Sequence, residues 1–157
     1  AIILEKKRPM THKIQDKSGF TFVEVMVVVA IIGVLAALVT SAIQYVRVSG
    51  RDARRVSDIS QIRSALNLYY SRYSQYPTEI TPGQQFAVNN TTYLDIVPSN
   101  PQPYGDHVEC SDSAIDNYDY TQRNGGLSYT LTFCLGYKQD DIQAGLNVAV
   151  PEAIIPQ

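Results

Sequence analysis

Between Phe20 and Val39 almost every residue is apolar, and Glu24 is the one charge among them. Residues 25–43 hold no charged side chain at all. As a helix these positions reach about 28 Å, close to the hydrocarbon thickness of a bilayer. Val27, Val28, Val29, Ile31 and Ile32 are β-branched, which disfavours helix in water. In lipid only a helix satisfies the backbone hydrogen bonds of a single segment, so helix is expected. A carboxylate in such a span costs roughly 2.5 to 3.5 kcal/mol on insertion scales. Glu24 therefore needs a use.

The helical pattern does not stop where the apolar run stops. Val46, Ala53, Val56, Ile59, Ile62, Leu66, Tyr69 and Tyr73 recur mostly three or four residues apart, which predicts an amphipathic continuation. Arg47, Arg51, Asp52, Arg54, Arg55 and Asp58 are expected on its other faces. No proline occurs between Pro9 and Pro77. One helix from Phe20 to about Ser74 is predicted, ended by Tyr76-Pro77, because the residue before proline is driven from helical geometry. Gly33, Ala36 and Ala37 would let another helix approach closely.

Residues 78–103 read as loop with short ordered pieces. Pro82-Gly83, Asn89-Asn90 and Pro98-Ser99-Asn100-Pro101 are turn signals. Residues 93–97 suit a short helical turn or a strand. Residues 117–122 and 127–135 predict two strands about the turn Arg123-Asn124-Gly125-Gly126, with Tyr129, Leu131, Phe133 and Leu135 on one face. Thr130, Thr132 and Cys134 share the other. Leu146, Val148 and Val150 suggest a third strand. The expected fold is α+β: a long N-terminal helix whose second half packs on a small antiparallel sheet. The predicted divisions are 1–19, 20–43 and 44–157.

The net charge of −2 gives no reason to expect nucleic acid as a partner. No G-x-S-x-G, Walker loop or H-E-x-x-H occurs. His12 lies before the apolar run and His107 in a loop, so no enzyme and no cofactor is expected. The acidic positions Asp106, Glu109, Asp112, Asp116 and Asp119, and Asp140-Asp141, lack EF-hand spacing and read as solvated loop, so no metal is expected. The tyrosines Tyr45, Tyr69, Tyr70, Tyr73 and Tyr76 lie at helical spacing and read as packing rather than as a ligand platform. Cys110 and Cys134, in an exported domain, would form a structural disulfide closing a loop.

A secretory signal has a shorter apolar core followed by a small-residue cleavage site, and none follows here. A plain membrane anchor gives no reason for Glu24. Lys17-Ser18-Gly19-Phe20-Thr21-Phe22-Val23-Glu24, followed by the Val/Ile/Leu run, resembles the prepilin-type signal of type IV pilins and pseudopilins. The resemblance extends through Arg51-Asp52-Ala53-Arg54-Arg55, Tyr69-Tyr70 and Tyr76-Pro77 to about Pro98. It implies a leader ending at Gly19; Met10, which follows Pro9 in a sequence whose first residue is Ala1, is read separately as a candidate start. It also implies cleavage by the prepilin peptidase before Phe20, N-methylation of Phe20, and an assembly charge at Glu24. The new α-amino group would be charged at neutral pH and one helical turn from Glu24. The same resemblance implies a homopolymeric filament, an inner-membrane assembly platform and an assembly ATPase. The protein is expected in the inner membrane as precursor, then in a surface or periplasmic filament. Many type IV pilins carry proline where Ser41 stands, so this helix is expected to stay continuous. A type IV pilin is the first reading, a type II secretion pseudopilin the second, and a monomeric membrane-anchored binding domain the third.

Overall fold

The computed structural model describes residues 19–103 and 117–156. The proposed leader with Met10 and His12, the positions Asp106, His107, Glu109, Cys110, Asp112 and Asp116, and any bond to Cys110 lie outside the described residues. The chain divides into two units, Ala1–Thr40 and Ser41–Gln157.

In the first unit the described chain has no regular structure at Gly19 to Thr21 and then enters helix α1, Phe22–Tyr73. Large apolar side chains from Phe22 to Val39 are exposed along this stretch. Such a continuous apolar surface on an isolated chain marks a membrane or protein contact. The helix is long and apolar enough to cross a membrane.

The second unit is the α+β head. Its part of α1 buries Ile59, Ile62, Ala65 and Leu66 against Tyr129, Leu131, Phe133 and Leu135. The predicted periodicity thus selects the core face correctly from Ile59 onward, whereas Val46 and Ala53 are exposed. Helix α1 ends at Tyr73, and Ser74 turns left-handed with φ 56° while its N–H bonds the Tyr70 carbonyl at 2.8 Å.

Strands β1, Phe86–Val88, and β2, Thr91–Leu94, form a hairpin. Its corner is Asn89-Asn90, with φ of 50° and 61°. Two left-handed residues are what a two-residue turn of matching twist requires, and asparagine tolerates them. Residues 93–97 therefore begin in a strand rather than a helical turn. Strands β3, Asp119–Arg123, β4, Ser128–Leu135, β5, Gly145–Ala149, and β6, Ile154–Pro156, form an antiparallel meander in that order.

The β3–β4 turn lies at the predicted Asn124-Gly125-Gly126. Gly126 has φ 94°, and a Cβ there would stand 3.1 Å from the Gln75 Cβ. The Gly126 carbonyl accepts the Tyr76 N–H at 2.7 Å, so close backbone approach ties this hairpin to the chain leaving α1. Strand β5 shows a preference the alternation alone does not reveal. Its buried positions are Gly145, Asn147 and Ala149, not the larger Leu146 and Val148. The register explains it: Leu135 pairs with Gly145, Phe133 with Asn147 and Leu131 with Ala149. Each large side chain on β4 leaves room for only a small one across the ladder.

Candidate functional site

The start of α1 carries the motif that the sequence singles out. The Glu24 N–H donates to Thr21 Oγ1 at 3.2 Å, and the Thr21 N–H donates to Glu24 Oε2 at 3.4 Å. This reciprocal pair is a capping box. It satisfies two backbone donors that a helix start leaves open. The carboxylate also lies in the first turn, where the helix dipole favours negative charge. Thr-x-x-Glu before an apolar run announces this pattern in the sequence, and the resemblance alone does not reveal it. The geometry folds Glu24 back to the residue directly after Phe20. A new amine at Phe20 would then arise one residue from an atom that Glu24 already contacts.

Gly19 and Phe20 are exposed, Phe20 at 83%. A Cβ added at Gly19 would meet nothing within 4 Å. Neither crowding nor a left-handed backbone within the folded chain requires glycine there.

Farther along, part of the expected polar face of α1 is not a surface. Asp52 and Arg55 are 0% and 1% exposed, and Asp58 is also buried. Their burial corrects the expectation that they decorate outer faces. Arg55 Nη1 donates to Asp52 Oδ1 at 2.7 Å and its Nε to Asn100 Oδ1 at 2.8 Å. Its Nη2 donates to the carbonyls of Pro101 and Pro103 at 3.2 and 3.1 Å. Asp52 accepts the N–H groups of Gly136 and Tyr137 at 3.0 and 2.8 Å. Asp58 Oδ2 accepts the Tyr118 hydroxyl at 2.8 Å. Burial first, and this bond to a carboxylate second, push the Tyr118 phenol well above its usual range. The network joins α1 to the segment before residue 104 and to the loop after β4. Burying a charge is tolerated only with such complete pairing. The sequence signal available was Asp52-Ala53-Arg54-Arg55: an i, i+3 acid–base pair on the turn that precedes the core face.

Cys134 is buried beside Leu146 on the sheet face opposite the main core. Among the described residues no cysteine is free. Asp140 and Asp141 are exposed, as expected of solvated carboxylates. Among the described residues there is no cluster of three metal-ligating side chains.

Residues 14–40 match the Prokaryotic N-terminal methylation motif, a window that contains Gly19, Phe20 and Glu24. Type II secretion system core protein G of Klebsiella michiganensis is 41% identical over 64 residues, covering 41% of this chain and 45% of that protein. The protein of the same name from Vibrio cholerae serotype O1 is 34% identical over 91 residues, covering 58% and 57%. That from Pseudomonas aeruginosa is 37% identical over 93 residues, covering 57% and 58%. These alignments span between under half and about three-fifths of the relatives' length. No solved structure matches. The methylation motif, the long apolar helix and these relatives together make the chain similar to type IV pilins and type II secretion pseudopilins.

Proposed function

We propose that the chain is a structural, non-catalytic subunit of a type II secretion pseudopilus. The observation that supports this over the expected type IV pilus is the similarity to relatives named type II secretion system core protein G. In this reading the precursor sits in the inner membrane through α1 and the prepilin peptidase cuts between Gly19 and Phe20. The open space at Gly19 suits an enzyme that must approach the backbone closely. Methylation of Phe20 follows. Helix α1 then leaves lipid for a bundle of neighbouring α1 helices in a periplasmic filament, built with the assembly platform and its ATPase. Apolar burial changes little in that exchange, so helix packing and the pairing of Glu24 with an N-terminal amine must supply specificity. A subunit out of register would leave a buried charge unpaired, at a cost of about 3 to 5 kcal/mol. The Cys110–Cys134 disulfide belongs to the same proposal, staples the exported head, and stabilises it by about 3 kcal/mol in the chain-entropy model.

Deletion of the gene in its own host tests the reading. Loss of exported enzymes from the medium, with sheared surface filaments unchanged, is the expected result. Loss of the surface filaments with secretion intact would restore the type IV pilus. An uncut N-terminus in cells with active peptidase would leave only the anchored monomer.

A further inference from the structure

Helix α1 leaves its apolar run at Ile43, and two residues later presents Tyr45, which is 56% exposed. The loop between β4 and β5 folds back to this level. The Tyr45 and Tyr137 rings lie 4.8 Å apart, inclined by 54°. The Gln139 side-chain amide donates to Ser49 Oγ at 3.2 Å. Asp52 holds the N–H groups of Gly136 and Tyr137. Gln139 and Ile142 pair across a tight corner at Asp140-Asp141. Three separate ties thus fix a loop from the sheet against the first turns of α1 beyond the apolar run. The buried Asp52–Arg55 pair is the anchor of the whole arrangement.

We infer that Tyr45 and Tyr137 form a platform that rests the head on the phospholipid interface before assembly. The inference rests on the membrane-spanning reading of α1. Tyrosine favours this layer because its ring is apolar and its hydroxyl stays wet. Nothing in the core requires an aromatic pair here, for neither ring belongs to the buried cluster. Ring insertion carries the contact.

The chain has no tryptophan, so a single substitution gives a clean probe. The full-length chain is reconstituted in phosphatidylethanolamine and phosphatidylglycerol vesicles, with lipids brominated either near the top or near the end of the acyl chain. Tyr137→Trp should emit at shorter wavelength than Leu68→Trp, a position far along α1. Shallow bromines should quench it several-fold more strongly than they quench Leu68→Trp. Tyr45→Trp reads the same patch from the helix side should the loop variant fail to fold. Val28→Trp reports on the span itself. Deep quenching of Val28→Trp without shallow quenching of Tyr137→Trp and Tyr45→Trp overturns the platform and leaves the span intact. No quenching of Val28→Trp removes both readings. Quenching that vanishes on dilution of protein in lipid assigns the rings to contacts between copies and also overturns the platform.

Discussion

Asp52 and Arg55 carry opposite charges out of water, and each is fully engaged where it sits. Removing one partner strands the other. Arg55→Met should therefore destabilise the head by about 3 to 5 kcal/mol, read as a fall in the urea midpoint. Asp52→Leu with Arg55→Met should cost less than the sum of the two single changes, because no ion is then left alone. The double variant still loses the acceptor for Gly136 and Tyr137, so it should not regain full stability. Glu24 poses a different question, since it acts both as a cap and as a charge. Glu24→Gln keeps an acceptor for the Thr21 N–H and removes the charge. Thr21→Val keeps the charge and removes the cap, at about 1 kcal/mol of helix stability. If assembly depends on the charge, Glu24→Gln should abolish incorporation into filaments while Thr21→Val assembles near normally. Equal loss in both, measured as subunit recovered in purified filaments, would make the cap the operative feature.

At the scale of elements, the end of α1 is held by a residue poorly suited to its backbone. Ser74 sits at φ 56°, where a Cβ costs roughly 1 to 2 kcal/mol. Ser74→Gly should raise stability by a few tenths to about 1 kcal/mol, since glycine's greater unfolded freedom offsets part of the gain. Gly126→Ala should do the reverse by about 1 to 3 kcal/mol, because φ 94° is strained for alanine and its Cβ would press on Gln75. Thermal melts of the two variants check both signs. These elements also show what a sequence reveals. The helix, the Asn124-Gly125-Gly126 turn and the inner face of β4 follow from period and turn chemistry, which are local. The β1–β2 hairpin was announced by Asn89-Asn90, but its strands are too short for period two to register. Strand β6 is similarly short, and its closing proline argues against a strand. The inward face of β5 depends on which large residue lies across the ladder, and that is register, not local pattern. The Thr21–Glu24 cap was legible because its two residues lie within one turn of sequence. The Asp52–Arg55 network was not, because its partners lie 45 to 85 residues away.

At the scale of the whole head, tyrosine hydroxyls tie the sheet to α1 and to the chain after it. Tyr118 reaches from the start of β3 to Asp58 on α1. Tyr120 donates to the Pro77 carbonyl at 2.6 Å, tying β3 to the chain after the helix. Burial pushes the Tyr118, Tyr120 and Tyr129 phenols above their ordinary values. For Tyr118 the carboxylate it faces adds to this, and for Tyr120 the neighbouring Tyr129 ring does. A raised phenol pKa means that the folded state holds the neutral form more tightly than the unfolded chain does. That stability is complete below the unfolded value of about 10 and is lost as pH rises beyond it. Each such phenol steepens the decline by about 1.4 kcal/mol per pH unit until its own folded value is reached. The head should therefore unfold cooperatively in mild alkali, while the apolar part of α1 in a bilayer, with no tyrosine before Tyr45, stays helical. Tyr118→Phe separates the causes. At neutral pH it should cost about 1 to 3 kcal/mol, since Asp58 loses a buried donor. Above pH about 10 its stability should fall less steeply than that of the parent chain, because one titrating group is gone. Urea midpoints taken at successive pH values give both quantities from one series. Parallel curves for parent and variant would show that Tyr118 does not govern the alkaline transition.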